Sequence, residues 1–185
     1  MNPWHDITRE RVTPDCFWAM IEISKGSKNK YELDKDTGRL KLDRVLFTST
    51  HYPQNYGFIP LTYSRDYDPL DVLVLCSEEI LPMAFVECKP IGVLTMTDNG
   101  LADDKIIAVA KSDPFYKDYN DITDIPDHVM QEIKHFFMVY KSLEGKETSV
   151  DEIKGKDAAK AIIADALHDY KEIIIPQLLE KRKYR

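Results

Sequence analysis

From Phe17 to Val109 the chain is a succession of short apolar or β-branched runs broken by turn residues, a pattern that predicts a compact all-β body. The first run is Phe17–Ile23. Residues 30–33 then pass through Asp34-Lys35-Asp36-Thr37-Gly38 into the alternating segment 39–42, which predicts a hairpin. Further strands are expected at residues 71–76, 85–94 and 105–110. Residues 48–64, rich in Tyr, Pro, Asn and Gly, show no periodic element and read as a long structured loop of the kind that often carries function.

The last third changes period. Val129, Ile133, Phe136, Phe137, Tyr140 and Leu143 recur at helical spacing after Pro126-Asp127, predicting an amphipathic helix. A second helix is expected from about Asp157, with Ala161, Ile162, Ala166, Leu167, Tyr170, Ile173 and Ile174 on one side and Pro176 bending or ending it. The charged link from Glu144 to Gly155 is too short for another domain. The residues therefore predict an α+β protein, a small β-barrel flanked by two main helices, with 1–185 forming a single domain.

Composition narrows the function. With 185 residues, 43% of them hydrophobic, the chain can bury one substantial core. Its net charge of −7 disfavours a protein whose task is to coat nucleic acid or an anionic membrane. The basic tail Lys181-Arg182-Lys183-Tyr184-Arg185 reads as a solvated helix end. Cys16, Cys76 and Cys88 are odd in number and lack CxxC or Cys/His ligand spacing, so a reducing compartment is the simpler reading. The segment Met1–Asp6 has no basic region leading into an apolar stretch, and no window approaches a membrane span, so a soluble cytoplasmic protein is expected.

The most informative stretch is Asp66-Tyr67-Asp68-Pro69-Leu70-Asp71, which runs into the apolar residues 72–75. Two carboxylates ~4 Å apart repel by about 4 kcal/mol at an effective dielectric of 20, so water or metal must relieve such a cluster. A solvated acidic turn is the plain alternative. The apolar strand behind it favours a hard cation. A second acidic group, Asp98-Asn99-Gly100-Leu101-Ala102-Asp103-Asp104-Lys105, resembles a hairpin turn on its own. Convergence of Asp98 and Asp103 with Asp66 and Asp71 would supply the oxygen ligands that suit Mg²⁺ or Mn²⁺. An EF-hand fits worse, since Asp71 stands where its loop needs Gly and Ser77 where it needs Glu.

Strand alternation puts Lys30 and Glu32 on one face, either as a salt bridge or as part of a site. Lys30, Arg44, Lys105 and Lys141 could form a cationic wall opposite the carboxylates, which points to a phosphate substrate. No P-loop, GxGxxG, GxSxG or HExxH pattern is present, and His51, His128, His135 and His168 are scattered. Two rival readings remain. In a non-enzymatic OB-fold module, Tyr52, Tyr56, Phe58 and Tyr63 would stack on bases. A calcium-buffering protein is the other.

The stretch 66–72 closely resembles the D-[SGDN]-D-[PE]-[LIVMF]-D-[LIVMGAC] signature of the soluble family I inorganic pyrophosphatases. Ile21-Glu22-Ile23, Lys30-Tyr31-Glu32, Asp43-Arg44, Tyr52-Pro53, Asn55-Tyr56-Gly57, Met96-Thr97-Asp98, Asp103-Asp104-Lys105 and Tyr140-Lys141 follow in the family's order, so the similarity covers nearly the whole chain. The compact length is similar to that of the shorter prokaryotic members. This resemblance implies an OB-like five-stranded barrel with helices, assembled as a homohexamer, that hydrolyses pyrophosphate with Mg²⁺ as cofactor, or Mn²⁺. By matching position it implies that Asp66, Asp71 and Asp103 hold the activating metal, with Asp71 also touching a second one, and that Asp98 and Asp103 hold substrate-borne metal. Glu22 and Glu32 would organise metal-bound water, Lys30, Arg44, Tyr56, Lys105, Tyr140 and Lys141 would contact the phosphoryl groups, and Tyr52 would support the site. Asp68 would be the base that accepts a proton from the attacking water.

Two positions depart from the family's pattern. Tyr67 stands where a small or polar residue, commonly Gly, is usual, so the turn is expected to avoid positive φ and to place a ring near the site mouth. Asn99 replaces an acid common beside the metal-binding Asp and removes one negative charge, which is expected to alter metal dependence and not to abolish activity.

Overall fold

Among the described residues nine strands account for the β body: β1 Phe17–Ile23, β2 Asn29–Asp34, β3 Arg39–Val45, β4 Asn55–Phe58, β5 Asp71–Leu75, β6 Phe85–Asp98, β7 Leu101–Ala102, β8 Lys105–Ala110 and β9 Thr148–Gly155. They are seen in a computed structural model that describes residues 2–146 and 148–183, the side chain of Arg182 excepted. Five of them close into a ring in the order β1-β4-β5-β8-β6, because β6 also pairs with β1. β5 and β8 run parallel and the other pairs are antiparallel, so the sheet is mixed. The predicted hairpin is β2–β3, a separate two-stranded sheet.

The continuous apolar run of β5 reflects burial on both faces. Val72, Val74, Ile106 and Ala108 join one core cluster, while Leu73, Leu75, Ile107 and Val109 join another. Helix α1, Asp127–Val139, packs Ile133, Phe136 and Phe137 into the second cluster. Helix α2, Lys156–Asp169, packs Ala159, Ile163 and Ala166 into the first. Each helix thus covers one of the two apolar faces that strand alternation creates.

Several expectations are corrected. Residues 48–64 contain a strand, β4, hidden in the sequence by Asn55 and Gly57. The stretch from Glu144 to Gly155 is no mere link, since β9 pairs with β6 along its distal half. A bulge opposite residues 94–96 puts Val150 and Ile153, three residues apart, against the same strand and erases the two-residue period that would have marked β9. Leu143 lies beyond α1 and is 68% exposed. The buried side of the second helix is formed by Ala159, Ile163, Ala166, Tyr170 and Ile174, with Ala161 and Ile173 exposed. A wider π-helical turn, Tyr170–Ile174, separates α2 from α3, Ile175–Lys183, and Pro176 falls in the first turn of α3, where a missing N–H is tolerated. Of the expected basic tail, Tyr184 and Arg185 lie outside the described residues. Among the described residues no helix is long and apolar enough to cross a membrane.

Gly57 sets how closely β4 approaches β1. A Cβ at this position would stand 1.8 Å from the Met20 carbonyl oxygen, a backbone atom that cannot turn aside. Gly57→Ala is expected to cost roughly 3 kcal/mol or more. Urea denaturation with an unchanged midpoint would show that β1 and β4 can separate without loss.

Candidate active site

Strand pairing brings the acidic groups to one end of the ring. The parallel register of β5 and β8 sets Asp71 beside Lys105. Asp103 lies two residues before Lys105, its backbone N–H donating to the Met96 carbonyl at 2.9 Å, and Asp98 ends β6. From β4, the Tyr56 hydroxyl donates to Asp71 Oδ2 at 2.5 Å. Tyr140 and Lys141 immediately follow α1. The hairpin is tied in by Glu22 on β1, whose Oε1 accepts the Leu33 N–H at 2.6 Å. These groups line a cavity of about 430 Å³, together with Lys30, Glu32, Asp66 and Asp68. Arg44 and Tyr52 are the assigned residues that do not line it. Tyr52 is buried behind it, its ring 5.2 Å from Tyr56 and 4.7 Å from Phe136.

The cations do not form a wall opposite the carboxylates. They are interleaved with them. Lys105 is 2% exposed and shares its ammonium between Asp71, at 2.5 Å, and Asp103. Burial opposes its charge, but those two carboxylates outweigh burial and hold its pKa above the ordinary lysine value. Lys141 pairs with Asp98, and Lys30 with Glu32 and, at 3.6 Å, with Asp43. Arg44 is gripped by Asp43 and by Glu144, the latter accepting from Nε at 2.8 Å. Glu144 and Lys35, which pairs with Asp68, were not singled out in the sequence, because one follows a helix and the other sits in an ordinary-looking turn.

The carboxylates remain in excess. Burial, followed by the charges of Asp71 and Asp103, raises Asp66 to about 7. Burial, followed by Asp71, raises Glu22 to about 8, against the lowering effect of the Leu33 N–H. Asp66, Asp71 and Asp103 each offer an oxygen, all within 4.8 Å of one another. Among the described residues, Asp98 Oδ1 is buried without a hydrogen-bond partner, as is Arg44 Nη2. The left-over acceptor on Asp98, which lines the cleft, fits a cation, so this all-oxygen donor set fits a hard divalent metal.

The two departures take forms that the sequence did not indicate. Tyr67 has φ 69, contrary to the expectation that the turn avoids positive φ. Bonds from Tyr67 N–H to Ser64 O at 3.0 Å and from Ser64 N–H to Asp68 O at 2.8 Å close the turn tightly and impose that conformation, at roughly 1–2 kcal/mol for a residue with a Cβ. Its ring is 67% exposed, lies 6.5 Å from Tyr63 and does not line the cleft. Asn99, at φ 49, and Gly100, at φ 82, form the two-residue turn between β6 and β7, a role for which Asn-Gly is the preferred pair. Asn99 is exposed and outside the cleft lining.

The raised carboxylates predict the pH dependence of the metal-free protein. Unfolded Asp and Glu titrate near 4, so from about pH 4 up to about 7–8 the folded state holds protons that the unfolded chain has released. Stability from these groups is full below that window and is lost as pH rises through it. Melting temperatures in a chelator should therefore fall between about pH 5 and pH 8, and divalent cations should flatten the fall. A chelated protein whose melting is independent of pH across this range would contradict the proposed crowding.

Residues 19–171 match the family described as inorganic pyrophosphatase. The chain is 49% identical over 178 residues to soluble inorganic pyrophosphatase 2 of Chlamydomonas reinhardtii, covering 96% of this chain and 93% of that protein. With a soluble inorganic pyrophosphatase of Zea mays the identity is 47% over 177 residues, covering 96% and 83%. In structure it is similar to the inorganic pyrophosphatase of Thermus thermophilus, with a TM-score of 0.83 at 42% identity, covering 85% of this chain and 92% of that one. The fold of these neighbours, the acidic cluster and a match across most of the sequence agree, and the chain belongs to the inorganic pyrophosphatase family.

Proposed function

We propose that this inorganic pyrophosphatase cleaves its substrate into two orthophosphates by using Asp68 as the base that takes a proton from the attacking water. The observation that carries the reading is the meeting, in one cleft, of three carboxylate oxygens within 4.8 Å of one another with the ammonium groups of Lys30, Lys105 and Lys141. Asp66, Asp71 and Asp103 would hold one divalent cation, and Asp98 with Asp103 would receive those arriving with substrate. Mg²⁺ is the ion best matched to an all-oxygen site, with Mn²⁺ second. When bound, such cations neutralise pyrophosphate and bring the pKa of water down from ~15.7 towards neutrality.

The chain's own residues supply the rest. Lys30, Lys105 and Lys141, now paired with carboxylates, would transfer part of their hydrogen bonding to phosphoryl oxygens, joined by Arg44, Tyr56 and Tyr140. Arg44 Nη2, unpartnered among the described residues although Arg44 does not itself line the cleft, would give an anion a further donor. Charge developing on the departing phosphate is thereby met by donors already in place. Glu22 and Glu32 would order water, and Tyr52 would back the Tyr56 ring. Base stacking by a binding module is not favoured, because Tyr52, Tyr56 and Phe58 are 2%, 8% and 2% exposed.

We further propose that residues 1–185 act as one domain, in the cytoplasm and as a homohexamer. The unpaired spacing of the cysteines and the family resemblance support these assignments. Light scattering should give a mass six-fold that of the chain, and a monomer at working concentration would overturn the hexamer. Asp68→Asn should lower kcat for orthophosphate release by roughly 100-fold or more while leaving Mn²⁺ binding, measured by calorimetry, near the parental value. Parental turnover in that variant would remove Asp68 from the role of base.

A further inference from the structure

We propose that Lys35 is a positioning residue for Asp68 and that Asn2 and Trp4 hold Lys35 in place, an inference that rests on the reading of Asp68 as the base. Lys35 occupies the turn between β2 and β3, remote in sequence from the acidic motif, and among the described residues it is the cation paired with the Asp68 carboxylate. An exposed lysine–carboxylate pair ordinarily fixes little, since both side chains wander. This one is constrained from behind. Asn2 Nδ2 donates to the Lys35 carbonyl at 2.7 Å, and the Lys35 ammonium lies 5.8 Å from the centre of the Trp4 ring.

Trp4 is in turn a fixed point. It is 6% exposed, its indole N–H donates to the Thr62 carbonyl at 2.9 Å, and its own carbonyl accepts the Leu61 N–H at 3.0 Å. The Thr62 hydroxyl accepts the Leu70 N–H at 2.9 Å, which anchors the acidic turn one residue before Asp71. Both partners of the Lys35–Asp68 pair are therefore registered against the same tryptophan. Lys35 borders the cleft on one side and, on the other, a second cavity lined by Trp4, His5 and Tyr67. The residues that anchor it, Asn2 and Trp4, precede the segment matched to the family.

A lysine that orients the base acts on the chemical step, whereas a lysine that binds substrate acts on its capture. Steady-state pyrophosphate hydrolysis at saturating Mg²⁺ separates these for the parental protein, Lys35→Gln, Lys35→Arg, Asn2→Ala, Asp68→Asn and the double variant Lys35→Gln/Asp68→Asn. Lys35→Gln should lower kcat about ten-fold with KM within two-fold, Lys35→Arg should recover most of the loss, and Asn2→Ala should lower kcat about two- to three-fold. In the Asp68→Asn background, Lys35→Gln should cost nothing further. Mn²⁺ affinity by calorimetry should be no weaker than the parental value in Lys35→Gln, because among the described residues Lys35 forms no ion pair with Asp66, Asp71 or Asp103 and acts on Asp66 only through its charge, which repels a bound cation.

Raised KM at parental kcat would make Lys35 a substrate contact and overturn the proposal. Losses that add in the double variant, or parental kcat in Lys35→Gln, would overturn it too. Asp68→Asn turning over at the parental rate would instead overturn the assignment of the base and, with it, this inference. No hydrolysis by the parental protein would count against the activity itself.

Discussion

The cleft depends on Lys105, an ammonium buried between the Asp71 and Asp103 carboxylates. Burying one charge costs several kcal/mol, and removing one partner of a buried pair typically costs about 3–5 kcal/mol, so none of the three groups can be lost without exposing the others. Lysine also does what a fixed structural partner would not. In the proposed reaction its ammonium would turn from carboxylate to phosphate without moving the strand. Burial, and after it the negative charge left by this pairing, make Asp66 and Glu22 retain protons above the ordinary carboxylate range.

The pairing is dictated by strand register. One residue of slip between β5 and β8 would turn Asp71 or Lys105 towards the opposite core cluster, where neighbours are apolar. Apolar packing on both faces thereby secures the polar end, and α1 delivers Tyr140 and Lys141 because Ile133, Phe136 and Phe137 fix its rotation. The site is polar, but its precision comes from apolar contacts.

Much of this was legible in the sequence. The acidic motif, the hairpin, the two helices and the lysines had strong local patterns, and all but Arg44 and Tyr52 of the assigned residues border the cleft. Strands β4 and β9 were not legible, because one is written in Asn, Tyr and Gly and the other is charged and phase-shifted by a bulge. The left-handed Tyr67 was hidden for a different reason. Its conformation is imposed by the backbone bonds of Ser64 with Tyr67 and Asp68 that close a turn, and the identity of residue 67 carries no trace of them. Pairings across large separations, such as Arg44 with Glu144 and Lys35 with Asp68, are tertiary facts without a local signal.

Strand β6 has a consequence for the order of events during synthesis. It pairs with β1 near its start and with β9 near its end, so it joins residues made early to residues made late. Every group assigned to catalysis has been synthesised by Lys141, yet the strand that flanks Asp98 begins at Thr148. A nascent chain stalled between those points would possess the complete chemical inventory while the edge that aligns Asp98 was still missing. Such long-range closure is slow compared with local pairing, and it makes activity a late reporter of folding, gained only when the carboxy-terminal part of the chain has docked.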